Sequence, residues 1–263
     1  MTSLAHNLFR RVCFVLALAA PAFAPYVNAQ APAPSHGVPV LVELFTSEGC
    51  SDCPPADALL AQLDATQPVP GAQAIVLSEH VTYWNHEGWT DPFSLDAMTD
   101  RQRQYVQQLG ADEAYTPQIV VDGAEQFTGS DNVKLARALI KAAAVPKIDI
   151  QIESAHRAAD GSVDFSVHAP AGTKATVVGV LAESATRAQV VRGENKGRTL
   201  HHVAVVRVLK EFDSKAIDGR PLRLPAPERL TAGTTEGPPR LVVFLVSRKN
   251  GHVVGAAEQT LSQ

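Results

Sequence analysis

The feature that most restricts the fold is a pair of cysteines between a predicted buried strand and a predicted helix. The strand covers residues 40–45 (VLVELF), a short apolar run of the kind found in strands covered on both faces. Cys50 and Cys53 follow, and two prolines come directly after them. Proline suits the first turn of a helix, where its missing N–H group would have no partner. The sequence therefore predicts that the cysteines lie at the start of a helix over residues 54–63.

The first 29 residues have the pattern of an export signal. Two arginines form a positively charged start, residues 12–20 form an apolar run of nine residues, and a small-x-small motif ends at Ala29. The apolar run is far shorter than the ~20 residues that span a bilayer. We therefore expect residues 1–29 to be removed, which leaves a periplasmic or secreted protein without a membrane span. Residues 30–37 are predicted to form a flexible leader.

Removal of the signal also fixes the cysteine count and the charge. Cys13 leaves with the signal, so the exported chain keeps only Cys50 and Cys53. The signal holds two of the 23 basic residues and none of the 27 acidic ones, which gives 21 − 27 = −6. We expect no nucleic-acid partner because there is no basic block and the Lys and Arg residues are scattered. We also expect no organic cofactor because no glycine-rich phosphate loop or dinucleotide fingerprint is present.

Two kinds of periodicity divide the rest of the chain. Between residues 38 and 145, short apolar strands alternate with stretches of helical period. From residue 147 onward, runs of alternating apolar and polar side chains are separated by turn residues. This pattern predicts an α+β chain, with an α/β domain over residues 38–145 and an all-β, sandwich-like domain over residues 147–263. One basic loop, residues 192–198, is predicted to be a solvated hairpin tip rather than a binding site.

Three roles are compatible with a single Cys-x-x-Cys pair. A zinc site needs four ligands, but His80 and His86 lie about twice as far beyond Cys53 as the ~12–15 residues of a zinc finger. A structural clip over so short a loop would add little stability, because this stabilisation grows with loop length. A redox centre fits best, because a helix N-terminus stabilises a thiolate at Cys50. Cys53 is then placed to attack a mixed disulfide formed there.

The order of the predicted elements resembles the thioredoxin superfamily over about residues 38–145. The segments VELFTSEGCSDCPPAD, HVTYWNHEGWTDPF, RQRQYVQQLG and YTPQIVVDG also resemble a family of exported bacterial thioredoxin-like proteins, and RGENKGRTLHH extends this resemblance into the β domain. The superfamily resemblance implies a cis-proline that faces the cysteines and binds the substrate backbone, and Thr116 and Pro117 match that position. It also implies a thiol–disulfide oxidoreductase whose partners are cysteine-containing envelope proteins and a redox partner.

Three acidic residues bear on this chemistry. Glu43 lies in the predicted buried strand, where a carboxylate is costly unless it is paired or protonated. The resemblance makes Glu43 a candidate proton acceptor for Cys53, and pairing with a Lys or Arg at the strand end is the alternative. Glu43 lies seven residues before Cys50, one more than the buried acid of thioredoxins, which leaves its face open. Glu48 and Asp52 place negative charge beside Cys50, which disfavours the thiolate. They predict a more reducing couple than that of strongly oxidising disulfide donors.

Two other functions use the same region. A metal carrier, with copper as the expected metal, would combine Cys50 and Cys53 with His80 or His86. Both histidines lie in the aromatic loop, residues 80–89, which also contains both tryptophans of the chain. Packing is the favoured role for such a loop. A non-catalytic interaction module is the third function left open.

Overall fold

The computed structural model describes residues 37–86, 88–230 and 232–262. The predicted signal, residues 1–29, and the predicted leader up to residue 36 lie outside these ranges. Within the described ranges, no helix is long and apolar enough to cross a membrane.

The first half of the described chain alternates strands and helices. Its elements are β1 (Val38–Thr46), α1 (Pro54–Thr66), β2 (Ala72–His80), α2 (Asp96–Leu109), β3 (Gln118–Val121), β4 (Glu125–Thr128) and α3 (Asn132–Ala143). Prolines fill the first turn of α1, as predicted from the Pro-Pro pair. The helix extends three residues beyond the predicted end at residue 63.

The second half of the described chain is built mainly from strands. They are β5 (Gln151–Arg157), β6 (Val163–His168), β7 (Ala175–Gln189), β8 (Thr199–Phe212), β9 (Leu222–Leu224), β10 (Thr234–Glu236), β11 (Arg240–Ser247) and β12 (Val253–Thr260). The α-helices described in the chain all precede β5. The prediction of an α+β chain with a β-rich second half is therefore confirmed.

One nine-stranded sheet runs through both halves of the chain. Its order is β12-β11-β7-β8-β2-β1-β3-β4, and β10 pairs with β7 at the side. The halves join where β2 meets β8 in parallel, with Ser78 opposite Val205. The described residues from 37 onward form one compact unit. The boundary predicted at residues 145–147 therefore does not separate two independent sheets.

Layers on both faces of β1 position the cysteine loop, residues 47–53, which joins β1 to α1. Side chains alternate between the two faces of a strand. Val40, Val42 and Leu44 pack with α1 and α3 in one core cluster, whereas Leu41 and Phe45 pack beneath α2. Elsewhere, the three-stranded sheet β5-β6-β9 shares a second core cluster with β7 and β11. Because both faces of β1 are covered, the end of the strand is buried, and the loop that follows it leads to the start of α1.

Candidate functional site

The end of β1 delivers the cysteine loop to the start of α1. Cys50 and Cys53 form a disulfide, and the two residues are 1% and 0% exposed. Cys53 occupies the N-cap position of α1, and its carbonyl oxygen accepts hydrogen bonds from the N–H groups of Ala56 and Asp57 at 2.9 and 3.1 Å. The predicted placement of the cysteines at a helix N-terminus is confirmed.

The peptide bond between Thr116 and Pro117 is cis, as the resemblance implied. Gly129 shows where this proline lies. A side-chain carbon built at Gly129 would lie 3.0 Å from Cβ of Pro117 and 3.1 Å from Cβ of Ala56. Pro117 is therefore close to the first turn of α1, the helix that begins at the cysteines.

Trp84 links the cis-proline segment to the cysteine loop. Its indole N–H donates a hydrogen bond to Oγ1 of Thr116 at 2.7 Å. A side-chain carbon built at Gly49, the residue before Cys50, would lie 3.1 Å from Cβ of Trp84. Glycine at this position allows the tryptophan to pack directly against the backbone of the loop. The aromatic loop thus borders the cysteine site.

Glu43 lies on the face of β1 that α2 covers. Its Oε1 accepts a hydrogen bond from Nε of Arg101 at 2.6 Å, and its Oε2 accepts one from the hydroxyl of Tyr105 at 2.6 Å. The neighbouring apolar residues of β1 pack against α1 on the other face, so Glu43 points away from the helix that begins at Cys53. The structure therefore does not bring Glu43 to the cysteines as a proton acceptor. It shows the alternative, an arginine partner, which comes from α2 rather than from the strand end.

Glu79 lies beside the same arginine. Its Oε1 is 3.5 Å from Nε of Arg101, and among the described residues neither carboxylate oxygen of Glu79 has a hydrogen-bond partner. Burial, reinforced by the negative charge of Glu43, raises the pKa of Glu79 well above its ordinary value. Burial therefore favours the neutral form of Glu79, and Arg101 lies closer to Glu43 than to Glu79.

A second buried group of charges surrounds the cysteine loop. Glu48, two residues before Cys50, is fully buried. Its Oε1 lies 3.3 Å from Nε2 of His202, and its Oε2 accepts the indole N–H of Trp89 at 2.8 Å. Asp57 lies one helical turn after the second cysteine, and its Oδ2 is 3.6 Å from Nδ1 of His202. One imidazole therefore lies between two buried carboxylates.

His202 carries a positive charge at neutral pH. Burial alone would lower its pKa, but Asp57 and Glu48 outweigh burial and raise the pKa of His202 to about 10. His80 meets His202 edge-on, with ring centroids 4.5 Å apart, and its Nδ1 is 2.7 Å from Oδ2 of Asp91. The same Asp91 oxygen accepts the main-chain N–H of Glu48 at 2.8 Å. The acid–histidine cluster, as we name it, consists of Glu48, Asp57, His80, Asp91 and His202. It connects the cysteine loop, the aromatic loop and β8.

The β7–β8 hairpin also reaches the cysteine loop. Asn195, at its tip, is 1% exposed. Its Nδ2 group donates hydrogen bonds to the carbonyl oxygens of Glu48 and Cys50, both at 2.9 Å. The carboxylate of Glu194 accepts the main-chain N–H of Ser51 at 3.1 Å. The hairpin tip is therefore part of the site.

This contact corrects the prediction for the loop at residues 192–198. Most of its side chains are exposed, as predicted, but Asn195 is buried against the cysteine loop. Its charged neighbours gave the loop the composition of a solvated tip. The uncharged amide of Asn195, with two hydrogen-bond donors, was the one local signal of a buried role. For His202 the signal of burial was strand alternation, because its neighbour His201 is exposed.

The described residues do not form the ligand set that a metal carrier would need. Among the described residues, no three or more His, Cys, Asp or Glu side chains are grouped to hold a metal ion. His80 is buried against Asp91, whereas His86 is exposed in a short turn. The two histidines of the predicted metal site therefore lie in different environments.

An apolar groove of about 290 Å³ lies between α3 and the β11–β12 turn. Its lining includes Val121, which pairs with Val42 on β1. The cysteine loop follows the other end of this pairing, where Gln118 lies opposite Phe45. The groove is therefore not part of the cysteine site.

Comparison with known proteins finds one family and a similar solved structure. The model of the family described as "Protein of unknown function (DUF1223)" matches residues 41–245. A crystal structure of a protein from Agrobacterium tumefaciens is similar at a TM-score of 0.61 and 23% identity, and the match covers 86% of this chain and 96% of that one. This similarity concerns the fold alone.

A domain of the outer membrane lipoprotein Omp28 from Porphyromonas gingivalis is matched at 15% identity, over 45% of this chain and 90% of that one. Its TM-score of 0.27 is too low to indicate a shared fold. None of the curated proteins matches the chain.

Proposed function

The chain belongs to the DUF1223 family, and we propose that it is an exported thiol–disulfide oxidoreductase with a thioredoxin-like arrangement around its cysteines. The observation that carries this proposal is the disulfide between Cys50 and Cys53 at the start of α1. The position of Pro117, close to the first turn of that helix, supports it. Export rests on the pattern of residues 1–29.

The proposed reaction is a two-step thiol–disulfide exchange. In the reducing direction, the thiolate of Cys50 attacks one sulfur of a substrate disulfide, and a mixed disulfide forms as the first substrate thiolate leaves. The thiolate of Cys53 then attacks the sulfur of Cys50 and releases the second substrate thiolate. The substrate gains two electrons and two protons, and the protein ends in the oxidised state described above. Run in reverse, the same steps oxidise a substrate dithiol.

Thr116 and Pro117 are proposed to present the substrate backbone to Cys50. Trp84 supports this segment through its hydrogen bond to Thr116. Both cysteines are buried, so a substrate sulfur reaches Cys50 only when the surrounding loops open. The proposed substrates are cysteine pairs of other envelope proteins, and a redox partner restores the starting state.

The charges around the loop bear on the direction of electron flow. The negative charge of Glu48 is balanced by protonated His202, so it opposes a Cys50 thiolate less than the sequence indicated. Asp52 is exposed beside Cys50, and its negative charge still disfavours the Cys50 thiolate. We propose a couple that is more reducing than that of strongly oxidising disulfide donors, whose reduced form is stabilised. Equilibration with glutathione buffers measures this, and a potential near that of strong oxidants would contradict it.

Trapping of mixed disulfides tests the function itself. In cells that express Cys53→Ser, the first step proceeds and the second is blocked, so envelope proteins are expected to accumulate as covalent adducts. The matched control is the double variant Cys50→Ser/Cys53→Ser, which has no attacking thiol. Absence of adducts, together with no reduction of a model disulfide by the purified protein, would refute an oxidoreductase and favour an interaction module. Stoichiometric Cu(I) binding by the reduced protein that depends on His80 or His86 would favour the metal carrier.

A further inference from the structure

We infer, resting on the proposed function, that Asn195 and Glu194 are positioning residues of the cysteine site. Both lie at the tip of the β7–β8 hairpin, more than 140 residues along the chain from the cysteine loop that they contact. Asn195 fixes the shape of that loop, and Glu194 makes the Cys50–Cys53 couple more reducing.

Asn195 holds the cysteine loop through both protons of its amide nitrogen. The two bonds end on the carbonyl oxygens of Glu48 and Cys50, at 2.9 Å each. Its own carbonyl oxygen accepts a hydrogen bond from Nη1 of Arg198 at 2.9 Å, which fixes the orientation of the amide. An aspartate of the same shape would have no proton to donate to these carbonyl groups. The geometry is therefore specific for an amide side chain.

Glu194 acts on the thiolate of Cys50 in two ways. Its carboxylate binds the N–H group of Ser51 at 3.1 Å, one of the main-chain donors next to Cys50. Main-chain N–H groups close to a sulfur stabilise its thiolate by hydrogen bonding, and this one is occupied by a carboxylate instead. The carboxylate also adds negative charge beside Cys50, which disfavours the thiolate form. Both effects favour the disulfide and make the couple more reducing.

Two substitutions separate the charge of Glu194 from its hydrogen bond. Glu194→Gln keeps an oxygen that accepts the Ser51 N–H but removes the charge, whereas Glu194→Ala removes both. We expect the equilibrium with glutathione to shift toward the dithiol by about threefold for Glu194→Gln and about tenfold for Glu194→Ala, the latter equal to ~30 mV. Glu194 is exposed, so the part due to charge is expected to shrink in about 1 M salt.

The matched control is Glu211→Gln, which removes one exposed acidic charge near the far end of β8. It is expected to leave the equilibrium unchanged. The pH dependence of Cys50 alkylation in the reduced protein gives a second readout, and its midpoint is expected to fall in both Glu194 variants. Equilibria and alkylation midpoints equal to those of the unsubstituted protein at low salt would overturn the role of Glu194.

Asn195 is tested by the rate of the same alkylation. We expect Asn195→Ala to speed the reaction of Cys50 by about tenfold or more, because the covering loop is released, and Asn195→Asp to speed it less, because its negative charge disfavours the Cys50 thiolate. Asn195→Gln keeps the donors on a longer side chain and is expected to show a smaller increase. Equal rates in all three folded variants and the unsubstituted protein would overturn the role of Asn195.

These readouts do not depend on turnover. A shifted equilibrium in a protein that forms no adducts in cells and does not reduce a model disulfide would uphold the role of the hairpin and refute the proposed function. Adducts in cells together with unshifted equilibria and unchanged alkylation rates would support the proposed function and refute the role of the hairpin.

Discussion

Replacing His202 with glutamine tests whether its positive charge stabilises the fold around the cysteine loop. The imidazole is 2% exposed and lies 3.3 Å from Glu48 and 3.6 Å from Asp57. Glutamine removes the charge and leaves these two carboxylates buried without a cation. Removing one partner of a buried ion pair costs about 3–5 kcal/mol of stability.

The pKa of His202 gives a second route to this magnitude. It rises from 6.5 to about 10 on folding, and each unit corresponds to about 1.4 kcal/mol. The contribution is fully present below pH 6.5 and is lost as the pH rises toward 10. At pH 7 the pKa of His202 is about three units above the pH, which corresponds to roughly 4 kcal/mol of stability. This value lies within the range expected for removing one partner of a buried ion pair.

Urea unfolding of the oxidised protein between pH 6 and 10 measures the effect. We expect His202→Gln to be less stable by about 4 kcal/mol at pH 7, and the difference from the unsubstituted protein to shrink by about 1.4 kcal/mol for each further pH unit. Equilibrium unfolding gives both quantities from the same curves.

His201→Gln is the matched control, since His201 is the exposed neighbour on the same strand. It is expected to change stability by less than about 0.5 kcal/mol. Glu48→Gln combined with His202→Gln is expected to lose less stability than the sum of the single changes, because the cation and one of its carboxylates are removed together. A difference between His202→Gln and the unsubstituted protein that stays constant from pH 6 to 10 would refute a charged His202.

Two further predictions concern the surroundings of the site. Glu79 has a raised pKa, so the folded protein keeps a proton that the unfolded chain releases above about pH 4.5, and stability falls as the pH rises through this range. Glu79→Gln is expected to flatten that fall and to be more stable than the unsubstituted protein by about 1 kcal/mol at pH 8, measured by urea unfolding; an unchanged or steeper fall would contradict a raised pKa of Glu79. Trp84→Phe removes the donor to Thr116 and is expected to lower kcat/KM for a disulfide substrate by about three- to tenfold. Thr116→Val removes the other partner and is the comparison, and full activity in both variants would exclude a role for this bond.

The local part of the site could be predicted from the sequence. The strand, the Cys-x-x-Cys pair and the Pro-Pro helix start are neighbours in the chain, and each follows from short-range patterns. Thr116–Pro117 was identified by resemblance, and the structure shows its cis bond. Burial of Glu43 also followed from its place in an apolar strand. Its partner did not, because Arg101 lies 58 residues further along the chain.

The face on which Glu43 lies shows a limit of a different kind. Successive side chains of a strand point to opposite faces, so a difference of one residue in spacing moves a carboxylate to the other side of the sheet. The spacing of seven residues before Cys50 was the available signal. It left the face of Glu43 open, and the structure places Glu43 on the face of Leu41 and Phe45, beneath α2.

The contacts of His202 and Asn195 with the cysteine loop were not predicted, because the sequence around them carries no signal that places them near the cysteines. They lie 154 and 145 residues from Glu48 and Cys50, their respective partners. Their position depends on the pairing of β2 with β8, which rests on one register pair between Ser78 and Val205. A contact of that kind leaves no periodic pattern in the sequence.

The same pairing explains why the β-rich half belongs to the site. His80 follows Ser78 on β2, His202 precedes Val205 on β8, and the two imidazoles meet edge-on beside this junction, with ring centroids 4.5 Å apart. The hairpin that precedes β8 then reaches the cysteine loop, which follows the strand next to β2. His202 on β8 is the cation that lies beside Glu48 and Asp57, and leaving both carboxylates buried without it would cost several kcal/mol. The β-rich half therefore contributes to the balance of charge under the cysteine loop as well as to the sheet.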